Sequence, residues 1–173
     1  LRADGPNGGG IVYQEILVLP PATPTQTVTP NTTVTVEPTA TITPEPTVTI
    51  IPGGRLPYTP HTLPGRVEAE DYDLGGAGVA YQDTTPGNTG GAYRQDDVDI
   101  EQNPWEQTPN VGWIRNGEWL AYTVQVGDGG INSMTARVSS PGDGRTIRVV
   151  VDGAEAAPVQ VPNTGDFSRF TTV

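Results

Sequence analysis

Residues 117–126, GEWLAYTVQV, decide the fold because their side chains alternate in character along the chain. Leu120, Tyr122, Val124 and Val126 fall on one face of an extended chain, and the intervening positions fall on the other. Strict alternation of this kind indicates a half-buried β-strand, whereas a helix would repeat its apolar residues every three or four positions. The stretch therefore predicts a sheet with one face on a core.

The same period of two recurs towards the C-terminus. Residues 133–140, SMTARVSS, alternate in this way, and residues 145–162, RTIRVVVDGAEAAPVQVP, read as a hairpin that turns at Asp152-Gly153. A further short strand is predicted at 168–173, SRFTTV. Clusters of Gly, Pro, Asn and Asp separate these runs, and nothing between them has a helical period. The pattern predicts an all-β fold, a β-sandwich.

Charge narrows the classes of partner. Nine arginines, with no lysine, stand against 20 acidic residues and give a formal net charge of −11. Nucleic acids and anionic membrane surfaces both require a basic patch, so neither is expected as a partner. No apolar run approaches the roughly 18 to 20 residues of a membrane span, and no cysteine is available for a disulfide or a thiolate metal site. Neutral ligands and divalent cations fit this composition.

A Thr/Pro-rich linker divides the chain. Residues 21–50 contain 12 Thr and 6 Pro but no Gly, a composition that cannot bury a core. Because proline fixes φ and removes backbone donors, the segment is expected to be an extended spacer of about 90 Å at about 3.1 Å per residue. Such tracts are typical of O-glycosylated stalks, which predicts a secreted or cell-surface protein.

Three regions follow from this division. Residues 1–19 are predicted to be the C-terminal remnant of a preceding β-sandwich repeat, because LRAD, a Gly-rich loop and IVYQEILV resemble the last hairpin of the polycystic-kidney-disease type of immunoglobulin-like repeat. Residues 20–63 are the linker and a lead-in, and residues 64–173 are the folded module. Since the sequence stops within a strand pattern, the module is expected to be incomplete at its C-terminus and to lack at least one strand pair.

Paired acids open the module. In Val67-Glu68-Ala69-Glu70, a strand would direct Glu68 and Glu70 to one face, with Cα atoms about 6.6 Å apart, while Val67 and Ala69 face the core. The pair could bind Ca²⁺, which prefers hard oxygen ligands. It could also supply the acid and base of an inverting glycosidase, or consist of two solvated side chains. Catalytic pairs usually flank a cleft from different strands, which disfavours the enzyme.

Four ordered motifs resemble a known family. VEAEDYD, GVAYQDTTPGNTGGAYRQDDVDIE, NVGWIRNGEWLAYTVQV and VPNTGDFSRF are similar to the family 6 carbohydrate-binding modules of secreted polysaccharide-degrading enzymes. The resemblance implies a jelly-roll β-sandwich with a structural calcium ion and a sugar-binding cleft formed by loops at one end. It implies calcium ligation by Glu68 and Glu70, and by a main-chain carbonyl near Arg94.

The same resemblance assigns the sugar contacts. Family members stack a pyranose ring between two aromatic side chains, which are Trp113 and Phe167 at the matching positions of this sequence. Phe167 stands where tryptophan is more usual, so it offers less area and no N–H donor. Tyr93 and Asn88, in the glycine-rich insert, are candidates for the cleft rim or for bracing the loop. Family members bind xylan, β-glucans, agar and related chains.

The expected function is therefore non-catalytic binding of an extracellular polysaccharide by a calcium-stabilised module. The module would belong to a larger modular protein, whose other domains are its further partners. Two alternatives remain: a glycoside hydrolase using the paired carboxylates, and a structural or adhesive surface repeat with an idle cleft.

Overall fold

Short strands make up nearly all the regular structure. The computed structural model describes residues 54–127 and 133–173, together with the backbone of residues 2–4 and 12–13. One 3₁₀ turn, Ala69–Asp71, is the sole helical element among these residues. The strands are β1 Arg2–Asp4, β2 Val12–Tyr13, β3 His61–Leu63, β4 Tyr81–Gln82, β5 Ile100–Gln102, β6 Pro109–Val111, β7 Trp119–Leu120, β8 Val124–Val126, β9 Arg137–Ser139, β10 Arg145–Arg148, β11 Val150–Val151, β12 Ala154–Glu155, β13 Val159–Val161 and β14 Thr171–Thr172.

Two five-stranded sheets form the fold. One has the order β13-β10-β1-β7-β4, and the other has the order β14-β9-β2-β6-β5. Both sheets contribute to a single buried cluster, because Leu120 and Ile147 of the first sheet pack in the same core as Ile100, Val111 and Val138 of the second. The predicted all-β sandwich is therefore confirmed.

The alternation at 117–126 is confirmed in its burial. Leu120, Tyr122 and Val124 are buried, while the side chains between them are partly exposed. The stretch is divided between two pairings: β7 pairs with β4 in the first sheet, and β8 pairs in parallel with β3.

The predicted hairpin turn is also confirmed. Val150 pairs with Glu155 and Val151 with Ala154, so that two residues make the connection. Asp152 and Gly153 both have left-handed backbone conformations, with φ of 48° and 82°. Positive φ at both central positions defines the turn type whose twist matches the flanking strands, and Asp-Gly is well suited to it.

The lead-in contacts the module directly. His61 lies opposite Val124 in the β3–β8 pair, and Leu56 exchanges backbone hydrogen bonds of 2.7 and 3.1 Å with Leu74. Residues 54–63 therefore contribute to the same folded unit as the residues that follow them. The predicted spacer at 21–50 lies outside the described residues.

The N-terminal strands occupy the middle of the two sheets. β1 lies between β10 and β7, and β2 lies between β9 and β6. The residues of β1 and β2 precede the predicted linker in sequence. Within the described residues, no helix is long and apolar enough to cross a membrane.

Candidate functional site

Two predicted aromatic contacts lie at the same end of the sandwich. Trp113 follows β6 and Phe167 precedes β14. Because β6 and β9 each pair antiparallel with β2, they run in the same direction, and β14 runs opposite to β9. The residues after β6 and those before β14 are therefore at one end of the sheet. We call residues 112–118, 140–144 and 162–170 the loop end.

Both rings are accessible there. The exposed fraction is 42% for Trp113 and 44% for Phe167. Trp113 adopts a left-handed backbone conformation, with φ of 49°, which is uncommon for a bulky residue and often marks a functional position. Flat, exposed rings at one end suit the apolar C–H face of a pyranose ring.

Glu118 braces the loop that carries Trp113. It is 7% exposed, and its Oε2 accepts a hydrogen bond of 2.7 Å from the backbone N–H of Arg115. Its Oε1 accepts hydrogen bonds from the backbone N–H and the hydroxyl of Thr84, at 3.0 and 2.5 Å. One carboxylate thus ties the turn after Trp113 to the loop after β4. Sequence reasoning missed this residue, because a single acid beside a strand carries no distinguishing signal.

A second brace holds the loop that carries Phe167. The backbone N–H of Thr164 donates to the carbonyl of Ser140 at 2.7 Å, and the N–H of Ser140 donates to Oγ1 of Thr164 at 3.0 Å. The Ser139 hydroxyl donates to the Phe167 carbonyl at 2.7 Å. Asp166 accepts from the N–H and hydroxyl of Ser168, and these bonds lower the pKa of Asp166. Phe167 is therefore presented by a loop anchored at both of its sides.

Asn88 serves as a brace in this structure. Its Nδ2 donates to the carbonyls of Ala92 and Arg94 at 2.9 and 3.1 Å. Its Oδ1 accepts from the backbone N–H groups of Gly91 and Ile100, both at 2.9 Å. Both amide donors and the carbonyl are engaged in holding the glycine-rich insert, so the geometry favours the bracing role over contact with a sugar.

Tyr93 lies beside the 3₁₀ turn. Its hydroxyl donates to Oδ1 of Asp71 at 2.6 Å, and its ring packs edge-on against Tyr58 with centroids 5.6 Å apart. Burial and the hydrogen bond to Asp71 raise the pKa of Tyr93. The ring is 46% exposed, and the backbone is left-handed with φ of 63°. Its contacts place Tyr93 near the paired acids.

The guanidinium of Arg94 packs against two tyrosine rings. Its guanidinium lies 4.5 Å from the ring centroid of Tyr58 and 3.6 Å from that of Tyr72, and it is paired with Asp96 at 3.1 Å. It also donates to the Tyr72 carbonyl. The Arg94 carbonyl, the predicted calcium ligand, accepts from the Asn88 amide.

The strand predicted for the paired acids is wrong. The N–H of Asp71 donates to the carbonyl of Glu68 at 3.1 Å and closes the 3₁₀ turn. Tyr122, far along the chain, holds the turn by donating its hydroxyl to the Ala69 carbonyl at 2.7 Å. Glu68 and Glu70 therefore differ in environment: Glu68 is partly exposed and ion-paired with Arg66 at 2.8 Å, whereas Glu70 is buried. The predicted burial of Val67 and Ala69 is confirmed.

Glu70 is a buried acid with one carboxylate oxygen unpartnered among the described residues. Its side chain is 4% exposed, and Oε2 has no hydrogen-bond partner within the described part of the chain. Burial, together with the nearby negative charges of Glu68 and Asp71, raises the pKa of Glu70 to about 8. An unsatisfied buried carboxylate is costly unless a cation or a proton neutralises it. Among the residues described, no three acidic or histidine side chains form a metal cluster, so a cation held by Glu70 would also need main-chain oxygens.

A family model supplies the classification. The model of the carbohydrate binding module (family 6) matches residues 68–173, more than half of the chain. The chain belongs to this family. No solved structure matches the chain. The matched region contains both exposed aromatic residues of the loop end and both acids.

Membership in family 6 identifies the folded unit as a carbohydrate-binding module that is not itself catalytic. The geometry of the acids agrees with this, because an inverting glycosidase needs two carboxyl groups that flank an open cleft. Glu70 is instead buried, and Glu68 is held by Arg66. The strands at 2–4 and 12–13 lie outside the matched region.

Proposed function

We propose that the module binds a neutral extracellular polysaccharide at the loop end, with Trp113 and Phe167 as the two stacking residues. The observation that carries this proposal is the exposure of both rings, at 42% and 44%, on loops that lie at the same end of the sandwich. A sugar ring placed on these aromatic faces would bury apolar surface on both partners.

The braces support this assignment. A loop that is already ordered loses little conformational entropy when a ligand binds, so more of the contact energy appears as affinity. Glu118 and Thr164 provide such order through hydrogen bonds of 2.5 to 3.1 Å. The net charge of −11 favours a neutral polysaccharide over an acidic one.

A structural calcium ion is part of the proposal. Glu70 would hold it through the unpartnered Oε2, with Glu68 and the Arg94 carbonyl as further oxygen ligands. The ion would supply positive charge that neutralises the buried carboxylate. Arg66 contacts Glu68 at 2.8 and 3.0 Å. One or both of these contacts would then be lost, because a carboxylate oxygen that binds the ion is a weaker acceptor for a guanidinium.

The module is further proposed to act within a larger secreted or cell-surface protein. The composition of residues 21–50 supports this, since Thr/Pro tracts suit exposed stalks. Tethering makes weak binding useful: a single site of millimolar to ten-micromolar affinity, about −4 to −7 kcal/mol, gains from the effective concentration that a linker provides.

Trp113→Ala tests the binding site, with Trp105→Ala as the matched control. Trp105 is 73% exposed but belongs to the connection between β5 and β6, at the opposite end of β6 from Trp113. In native gels containing soluble xylan or β-glucan, Trp113→Ala should abolish the retardation shown by the parent, and Trp105→Ala should retain it. Both variants should melt within about 2 °C of the parent, because exposed residues contribute little to stability.

Undiminished retardation of Trp113→Ala on every polysaccharide that retards the parent would refute the site. An absence of binding by the calcium-loaded parent on a broad glycan array would favour a structural or adhesive repeat. Release of reducing sugar above background would favour the glycoside hydrolase hypothesis.

A further inference from the structure

We infer that Asn116-Gly117, in the loop end, is a site of spontaneous modification at which Asn116 is converted to isoaspartate. The conversion lengthens the main chain of the turn that follows Trp113 and thereby weakens the loop end. The reactivity of Asn116 follows from the contacts of the described residues, whereas the loss of sugar binding rests on the proposed function.

The reaction uses only the chain and water. The backbone nitrogen of Gly117 loses its proton and attacks the side-chain carbonyl carbon of Asn116, so that a C–N bond forms and ammonia leaves. Water then opens the resulting cyclic imide at either of its two carbonyl groups. One opening gives aspartate. The other gives isoaspartate, in which the main chain runs through Cβ, is one carbon longer and carries a carboxylate.

Glycine after asparagine favours the attack. Because Gly117 has no Cβ, its nitrogen is not shielded by a side chain, and its backbone rotates more freely than that of other residues. Gly117 has φ of 93°, and a Cβ added there would meet no atom within 4 Å. The turn therefore has open space in which this nitrogen can approach the Asn116 side chain.

The side chain of Asn116 is available for the reaction. Asn116 is exposed, and among the described residues its amide has no hydrogen-bond partner. The turn is closed by a bond from the N–H of Glu118 to the carbonyl of Arg115, which at 3.3 Å is longer than an ordinary backbone hydrogen bond. The centre of the turn is thus held less tightly than its ends.

The other asparagines of the described residues lack this combination. Asn110 is 1% exposed and precedes the β-branched Val111. Asn103 is 4% exposed and precedes proline, which has no N–H to lose. Asn88 and Asn163 precede threonine, and their Oδ1 atoms accept hydrogen bonds from backbone N–H groups. Within this part of the chain, the reaction should therefore be selective for the loop end.

The lengthened main chain would lie within a hydrogen-bonded ring. The backbone N–H of Arg115 donates to Oε2 of Glu118 at 2.7 Å, and the N–H of Glu118 donates back to the carbonyl of Arg115 at 3.3 Å. Asn116 and Gly117 connect these two partners. One additional carbon adds about 1.5 Å to the connection, so the two bonds cannot both be kept unless the turn is displaced.

The new carboxylate acts in the same direction. It adds a negative charge to the turn that the carboxylate of Glu118 holds, and Glu118 is only 7% exposed, so the two charges repel each other with little screening by water. Glu118 also accepts from the backbone N–H of Thr84. A weaker brace would release the loop that holds Trp113 in its left-handed conformation, with φ of 49°.

Ageing of the full chain tests the chemistry. The folded protein is incubated at physiological temperature and mildly alkaline pH, where more of the amide nitrogen is deprotonated. Chymotryptic cleavage after Trp113 and Trp119 gives the peptide 114–119, in which Asn116 is the sole asparagine. The mass of this peptide should rise as the amide becomes an acid, and a methyltransferase specific for isoaspartate should label it.

A sample aged in denaturant shows that the conditions permit the reaction. Asn116→Gln is the matched control, because glutamine would have to form a larger and less favourable cyclic imide. Conversion of the peptide 114–119 in denaturant but not in the folded protein would show that the turn prevents the attack, and the inference would be wrong. Conversion of Asn88, Asn110 or Asn163 in the folded protein as fast as that of Asn116 would also contradict it.

The purified isoaspartate form tests the consequence, since its additional negative charge allows separation by ion exchange. Its melting temperature should lie at least about 4 °C below that of the unaged protein, as expected for the loss of one brace in a small domain. Its affinity for xylan or β-glucan oligosaccharides should be at least about fivefold weaker. Asn116→Asp, which has the charge on a chain of normal length, should lose less than about twofold, because an exposed charge contributes little.

An isoaspartate form with the melting temperature and affinity of the unaged protein would refute the consequence. In Glu118→Ala, which lacks the brace, conversion should lower the melting temperature less than in the parent, and an equal loss would exclude the brace as the cause. The mass change and the melting temperature do not involve carbohydrate. Failure of the proposed function, seen as undiminished retardation of Trp113→Ala, would therefore leave the modification site standing.

Discussion

The carboxylate of Glu118 and the hydroxyl of Thr84 are 2.5 Å apart, although 34 residues separate them in sequence. The contact joins the loop after β4 to the turn that carries Trp113, and it is strengthened by the bond from the Thr84 backbone N–H to the same oxygen. The proposed binding end therefore depends on a side chain that need not touch the sugar.

Glu118→Ala should lower both stability and affinity. The change leaves the backbone donors of Thr84 and Arg115 without their acceptor, at a cost of about 1–3 kcal/mol in the free energy of unfolding. Urea unfolding measures this loss, and affinity gels should show weaker retardation. Glu155→Gln is the control, because its ion pair with Arg148 is exposed and such pairs contribute little. A Glu118→Ala protein with parental affinity would show that the brace is irrelevant to binding.

Phe167 tests whether stacking area limits affinity. Phe167→Ala should weaken polysaccharide binding by at least about fivefold, since truncating an aromatic anchor typically costs more than about 1 kcal/mol. Phe167→Trp should strengthen it, because indole offers more area and an N–H donor. The Phe167 carbonyl, which accepts from Ser139, is retained in both variants. Titration calorimetry with a soluble oligosaccharide gives the affinities, and equal affinities for all three proteins would exclude Phe167 from the site.

The sequence predicted those features that depend on neighbouring residues. Alternation gave the correct buried face at Leu120, Tyr122 and Val124, and Asp152-Gly153 turned the hairpin where expected. Both signals are local, since side-chain direction in a strand and positive φ in a turn are set within a few residues.

Features set by distant contacts were beyond that reasoning. The alternation at Val67–Glu70 suggested a strand, yet the Tyr122 hydroxyl holds the Ala69 carbonyl within a 3₁₀ turn. The pairing of Ala3 with Ile147 links positions at opposite ends of the sequence. No pattern within either strand specifies the strand with which it pairs. The position of Trp113 at the loop end likewise follows from the order of the strands in the sheets, which no local pattern gives.

The Asp152-Gly153 turn allows a test of backbone strain alone. Gly153 has φ of 82°, and a Cβ added there would meet no atom within 4 Å. Gly153→Ala should therefore destabilise the protein by about 1 kcal/mol through its left-handed conformation and not through a clash. Asp152→Asn is the control, because asparagine also tolerates positive φ, which is 48° here. Chemical denaturation should separate the two variants, and equal stability would show that the turn relaxes.

The raised pKa of Glu70 predicts that pH affects stability in opposite directions with and without calcium. In the metal-free protein its pKa is raised from 4.5 to about 8, so between these values the folded state holds a proton that the unfolded state has released. The contribution of Glu70 to stability is therefore full below pH 4.5 and is lost as pH rises to about 8. In EDTA, the difference in melting temperature between the parent and Glu70→Gln should change in favour of the variant over this range.

Calcium should oppose this loss of stability with rising pH in the parent, because a bound ion stabilises the ionised carboxylate in the folded state only. The rise in melting temperature on adding calcium is expected to be larger at pH 8 than at pH 5, since the proton competes with the ion for the same oxygens. Glu70→Gln should lose the response, while Glu155→Gln, at an exposed site, should keep it. A calcium response of parental size in Glu70→Gln would place the ion elsewhere. If neither the parent nor any variant responds to calcium, no ion binds there and the buried carboxyl of Glu70 is protonated at neutral pH.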